Sequence, residues 1–170
     1  MNKKNLTYFV GLLALLAMVS ITMSAQNLVW AGAAINCTPG VCVGTDGDDT
    51  IIGTKSNDYI NGKLGNDKIN GQSGDETICG DGGDDKINGG AGNDWLIGDD
   101  FLCKGSAEVG ADNLAGGPGD DILVHGHAWT AESDGHKDIL DCGPGLDTAY
   151  ANLSIDHDVV SNCETINPPE

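Results

Sequence analysis

The chain has 170 residues, with 26 acidic side chains against eight lysines and no arginine, for a formal net charge of −18. A surface that acidic cannot track nucleic-acid phosphates and is repelled by anionic membranes, so neither is expected as a partner. Glycine accounts for 26 residues and aromatic side chains for only 5%, so apolar burial alone cannot offset chain entropy, and a cation is the natural counterweight to the carboxylates.

Lys3 and Lys4 precede an apolar run from Leu6 to Ile21, the charged and hydrophobic regions of a secretory signal peptide. The run is shorter than the ~20 residues of a spanning helix, which favours cleavage over anchoring and leaves no segment for membrane insertion afterwards. Ala31-Gly32-Ala33 fits the small-x-small rule and makes residues 1–33 the signal, with cleavage after Ser24 or Ala25 as the other option. The mature protein is therefore expected to be secreted, to the extracellular side. Residues 34–43 form a cysteine-containing lead-in. Cys37, Cys42, Cys79, Cys103, Cys142 and Cys163 all lie beyond the signal, and an even count in an exported chain points to disulfides. Cys37 could close a local turn with Cys42, and Cys142 with Cys163 would clip the C-terminal end, leaving Cys79 with Cys103. No Cys-x-x-Cys or nearby Cys/His pair offers zinc spacing.

From Gly44 the chain runs GTDGDDTII, GTKSNDYIN, GKLGNDKIN, GQSGDETIC, GDGGDDKIN and GGAGNDWLI without a gap. Position one is always Gly, position four is Gly except at Ser56, and position six is Asp except at Glu76. Position eight is Ile51, Ile60, Ile69, Ile78, Ile87 or Leu96. One aliphatic with polar neighbours suits a very short strand, and the glycines before it suit a turn. Such turns offer carbonyls and carboxylates, hard oxygens at a density that suits Ca²⁺ better than the tighter octahedron of Mg²⁺. Asn-Gly at 61–62, 70–71 and 88–89 also permits a meander of antiparallel hairpins, though its strands would carry an internal Gly and one large inward hydrophobe.

The pattern resembles the RTX, or haemolysin-type, calcium-binding repeat GGxGxDxUx, with U apolar. The resemblance covers residues 44–124 well and is looser to about residue 150. It implies an all-β parallel β-roll (β-solenoid), two nonapeptides to a coil, with Ca²⁺ between turns that neighbour in the stack. The implied ligands on one side are Asp49, Asp67 and Asp85. On the other they are Asp58 and Asp94, where Ser56 for Gly and the longer Glu76 make the row less regular.

After Gly98-Asp99-Asp100 the stretch FLCKGSAEV reads as a degenerate unit or a looped-out insertion, before the register returns at Gly110, Asp112 and Leu114. GGPGDDILV is a full repeat with Asp121 as its implied ligand, and a second break leads to Lys137-Asp138-Ile139-Leu140 and then to CGPGLD; Asp112 and Asp147 are the implied ligands of the units on either side. Residues 125–170 are thus degenerate repeats and a disulfide-clipped C-terminal cap.

His125, His127 and His136 could ligate a transition metal or serve an enzyme, but a polar loop is the plainer reading and no HExxH motif accompanies them. Nucleophile-elbow, P-loop and EF-hand patterns are absent, and little chain remains for a catalytic domain. Asn36 and Asn152 match the weak glycosylation sequon. The combined expectation is a non-enzymatic, secreted calcium-binding β-roll whose folding is coupled to Ca²⁺. The alternatives are an adhesion or surface-layer spacer with a cell-surface or matrix partner on a row of Asn57, Asn66, Asn93, Lys63, Lys68 and Lys86, or an enzyme using His125–His136.

Overall fold

Each repeat contributes one strand and one turn, and successive strands fall alternately into two sheets. The computed structural model describes residues 32–99, 109–126 and 135–167. Sheet one runs, in spatial order, β1 (Ala34–Asn36), β3 (Thr50–Ile52), β5 (Lys68–Ser73), β7 (Lys86–Ala91), β9 (Asn113–Ala115), β11 (Ile139–Asp141) and β13 (Val159–Ser161). Sheet two runs β2 (Val41–Val43), β4 (Tyr59–Leu64), β6 (Thr77–Gly82), β8 (Trp95–Ile97), β10 (Ile122–Val124), β12 (Thr148–Tyr150) and β14 (Thr165–Asn167). Every pairing is parallel, which excludes the hairpin meander. The fold is an all-β parallel solenoid, with no helix among the described residues.

Position eight points between the sheets. Ile51, Ile69, Ile87, Leu114 and Leu140 from sheet one stack against Ile60, Ile78, Leu96, Leu123 and Ala149 from sheet two, all at most 1% exposed. The sheets begin before the repeat array and continue after it. Residues 34–43 supply β1 and β2, and the C-terminal cap is itself the last coil, β13 with β14. Disulfides fasten both ends, Cys37–Cys42 and Cys142–Cys163. Cys79 is also disulfide-bonded; Cys103, its expected partner, lies outside the described residues, as do His127 and the signal region up to residue 31.

The register decides what the first excursion is. Across the regular array a coil advances by 18 residues, but from Asp85 to Asp112 it advances by 27. Leu114 nevertheless takes the sheet-one place that follows Leu96 on sheet two. A degenerate unit would have put Leu114 in the other sheet, so the register of the described residues skips nine positions, 100–108, which lie outside them. The Gly110 N–H donates to Asp99 Oδ2 at 2.8 Å and joins the two described sides of the excursion. The second excursion leaves the next coil of the same sheet after the same turn position, following His125-Gly126.

The row anticipated as a flat binding face does not form one. Lys68 and Lys86 pair on sheet one, Lys63 belongs to β4 of sheet two, and Asn57, Asn66 and Asn93 sit in the turns. The outer side of sheet two carries a second small apolar cluster, Cys79, Ile97 and Val124 packed with Tyr150.

The core is one side chain wide, so its members cannot be exchanged for smaller ones without leaving a void. Ile78→Ala should destabilise the protein by about 2–5 kcal/mol in denaturant unfolding. Ile52→Ala, at an exposed strand position, should change stability by less than about 1 kcal/mol.

Candidate metal centre

The position-six carboxylates form two ladders, one along each row of turns. On the row leading into sheet one, Asp67 Oδ1 accepts the Asp49 N–H at 2.7 Å, Asp85 accepts from Asp67 at 2.8 Å, and Asp112 accepts from Asp85 at 2.8 Å. Asp138 continues it by accepting from Asp112 at 2.7 Å. On the opposite row Asp94 accepts from Glu76 at 2.9 Å, Asp121 from Asp94 at 2.8 Å, and Asp147 from Asp121 at 2.7 Å. The second row is thus as regular as the first from Glu76 onward, because the backbone sets the spacing and the side chain only has to reach one N–H.

Each rung uses one oxygen of its carboxylate. The other oxygen is buried and accepts no hydrogen bond among the described residues at Asp67, Asp85, Asp94, Asp112, Asp121 and Asp147. This periodic set of bare, buried oxygens lies against the position-one glycines. At Gly80 a Cβ would overlap the Asp85 carboxylate itself. Position four closes the turn: Gly83 has φ +121°, and a side chain there would strike the Gly65 carbonyl of the preceding coil. Position two also turns left-handed at Lys63 (φ 85°) and Gln72 (φ 83°), though not at Thr45 or Thr54.

The first rungs differ. Asp49 Oδ2 accepts the N–H of Thr45 at 2.7 Å and its hydroxyl at 2.8 Å, and Asp58 Oδ2 is held the same way by Thr54. Desolvation pushes Asp58 up, but the Gly40 and Thr54 N–H groups with the Thr54 hydroxyl outweigh it and hold the group below its ordinary value. Inside the ladders burial wins. It raises Asp67 to about 7, Asp85 to about 8 and Asp121 to about 6, in each case with a neighbouring ladder carboxylate adding repulsion. Burial and contact with Asp94 take Glu76 to about 8. Burial with the nearby charges of Asp99 and Asp85 takes Asp112 to about 10.

A further ladder at position five had a signal in the sequence that the position-six pattern overshadowed. Asn66 N–H donates to Asp48, Asp84 N–H to Asn66, and Ala111 N–H to Asp84, at 2.9–3.0 Å. The other row reads Asn57, Asp75, Asn93, Asp120 in the same fashion. Asp and Asn alternate from coil to coil, so no two carboxylates of this outer ladder are stacked directly.

His125 is not in a polar loop. It is 1% exposed, with Nδ1 3.4 Å from Asp138 Oδ2 and 3.7 Å from Asp158 Oδ2. Asp138 and Asp158 were not singled out as site residues because the second excursion hides their place in the repeat.

Carboxylates raised in the cation-free fold bind more protons there than in the unfolded chain, between about pH 4 and about pH 8. Their contribution is complete at low pH and is lost as pH rises through the folded values. In chelator the β signal in circular dichroism should therefore grow as pH falls from 8 towards 5. Saturating divalent cation should make the fold nearly independent of pH across that window.

The family model described as the RTX calcium-binding nonapeptide repeat (4 copies) matches residues 43–78, 70–101 and 106–126. No curated protein matches the chain. RTX nonapeptide repeats bind calcium, and their pattern here coincides with the two ladders. Residues 43–101 and 106–126 therefore carry the RTX calcium-binding nonapeptide repeat, in sequence and in fold.

Proposed function

We propose that the protein is a secreted, non-enzymatic calcium-binding β-roll in which ion binding and folding of residues 44–124 are one event. The observation that carries this reading is the periodic set of buried carboxylate oxygens that accept no hydrogen bond among the described residues. Oxygen at that density, on a chain with net charge −18, is a donor set for Ca²⁺. Asp67, Asp85 and Asp112 would hold ions on one row, and Asp94, Asp121 and Asp147 on the other. Asp49 and Asp58 would contribute less, since Thr45 and Thr54 already supply donors to them. Bound calcium neutralises the rows; the chain's own part is to align the carboxylates through the N–H rungs and to keep the glycine space open.

One buried aliphatic per nine residues recovers only a fraction of the entropy of ordering them. The ion therefore supplies part of the folding free energy, and the disulfides lower the entropy of the chain it must order. Residues 1–33 act as the export signal, so folding follows arrival where calcium is abundant. No helix among the described residues is long and apolar enough to cross a membrane.

The test is far-UV circular dichroism of the mature protein in EDTA, titrated with Ca²⁺ and separately with Mg²⁺. A disordered spectrum that turns to β with calcium alone is expected; a spectrum already β in EDTA and indifferent to calcium would overturn the reading. Asp85→Asn and Asp121→Asn should each raise the calcium midpoint on the order of tenfold, whereas Asp46→Asn, at an exposed turn position, should leave it unchanged. N-terminal sequencing of the exported protein should begin at Ala34.

A further inference from the structure

At the C-terminal end of the sheet-one ladder the repeat changes its chemistry. The unit that follows Val124 begins with His125, where all six units of the regular array begin with glycine. The imidazole therefore occupies the space that position-one glycines leave against the carboxylate of their own unit, here Asp138. Three potential ligands converge: one ligand atom from each of His125, Asp138 and Asp158 lies within 4.8 Å of the others, and the residues are 1%, 0% and 7% exposed.

The two carboxylates are held in place by other bonds. Asp138 Oδ1 accepts the Asp112 N–H at 2.7 Å, while Asp158 accepts the Asp138 N–H at 3.1 Å and the Asn152 N–H at 2.6 Å. Asp138 Oδ2, although fully buried, accepts no hydrogen bond among the described residues and faces the imidazole at 3.4 Å. That separation is longer than a hydrogen bond. It is the spacing of ligands around a tetrahedral ion, since an ion about 2.1 Å from each of two donors keeps them about 3.4 Å apart. The second separation, 3.7 Å from Nδ1 to Asp158, is close to the same value.

We propose that His125, Asp138 and Asp158 bind one divalent transition-metal ion of the zinc class, at a site distinct from the calcium-type turns. Calcium takes oxygen ligands, whereas an imidazole nitrogen with two carboxylate oxygens is a donor set for Zn²⁺, with a fourth position for water. The ion bridges β11 to the turn before β13 and so clamps the last coil of sheet one. The inference stands on the position of these three side chains and does not depend on how the remaining turns bind calcium.

The experiment measures Zn²⁺ binding by calorimetry, and Co²⁺ binding by its visible absorption, on the mature protein in millimolar calcium. One Zn²⁺ per chain is expected, not displaced by further calcium, and Co²⁺ should show the bands of a tetrahedral nitrogen–oxygen site. His125→Gly restores the repeat's own residue and should fold with calcium, as checked by circular dichroism, while zinc affinity falls at least about a hundredfold. Asp158→Asn should weaken zinc in the same direction, whereas His136→Gln and His157→Gln should not. Zinc binding unchanged in His125→Gly, zinc displaced by calcium, or no zinc uptake at all would each overturn the proposal; the last would leave His125 as a buried ion-pair partner of the two aspartates.

Discussion

Each coil of this protein is fastened to the next by a backbone N–H that donates to a carboxylate one coil further along. The rung is short, directional and repeated on both rows of turns, and the rest of the architecture follows from accommodating it. A carboxylate has two oxygens, and the rung uses one. The second is left in a dry groove between coils, so like charges are stacked at every step of the solenoid. Buried carboxylates in a row cannot all ionise without a counter-charge. The fold thus carries a standing demand for cations or protons that no lysine meets inside the rows. Glycine at position one keeps the groove open, and the alternation of Asp with Asn in the outer ladder avoids compounding the charge.

The hydrophobic stack plays a supporting part. Since each coil contributes two inward side chains and touches only its neighbours, stability is close to a sum of local and nearest-neighbour contributions. That explains why two excursions can leave the solenoid without breaking it. Both depart after position two of neighbouring sheet-one units and return before the Asp rung, so neither disturbs a strand or a ladder bond. Asp99 shows how little is needed at the point of exit: its carboxylate takes the Gly110 N–H and restores the turn across the gap.

Much of this was legible in the sequence. The nonapeptide with Gly at one, Asp at six and an aliphatic at eight dictated one short strand per repeat with inward Ile or Leu, and the family resemblance implied the two sheets. The 18-residue neighbour relation placed Asp49, Asp67 and Asp85 in one row and Asp58, Glu76 and Asp94 in the other. What resisted reading was the part that depends on register after an interruption. Whether FLCKGSAEV formed a unit or a loop turns on the sheet that Leu114 joins, a contact with Ile87 27 residues away. The same uncertainty hid Asp138 and Asp158, and it made His125 look like part of a polar loop. Thr45 and Thr54 were missed for a local reason. Their role rests on a backbone that is not left-handed at position two, and composition does not announce that choice. The position-five alternation was open to view, but the invariance of position six drew attention from it.

The ladder's direction also makes its two ends unlike. At the N-terminal end Thr45 supplies an N–H and a hydroxyl to Asp49, and Asp58 takes the Gly40 N–H on one oxygen and the same pair of donors from Thr54 on the other. At the C-terminal end the last N–H groups need acceptors where the repeat has faded. Asp147 finds Glu164 at 2.8 Å, the longer side chain reaching across a step of 17 residues, and Asp138 finds Asp158. The logic is that of helix capping, donors at one terminus and acceptors at the other, transferred to a solenoid whose repeating bond runs along the stack. Disulfides close the same two ends. The rung donors and acceptors at the termini are therefore furnished by the chain itself, and what stays unmet is the second carboxylate oxygen, from Asp67 in the middle coils on to Asp147. Under the proposed coupling of ion binding to folding, an ion that enters there would order the middle coils, and nearest-neighbour contacts would pass that order outward to ends already shaped to receive it.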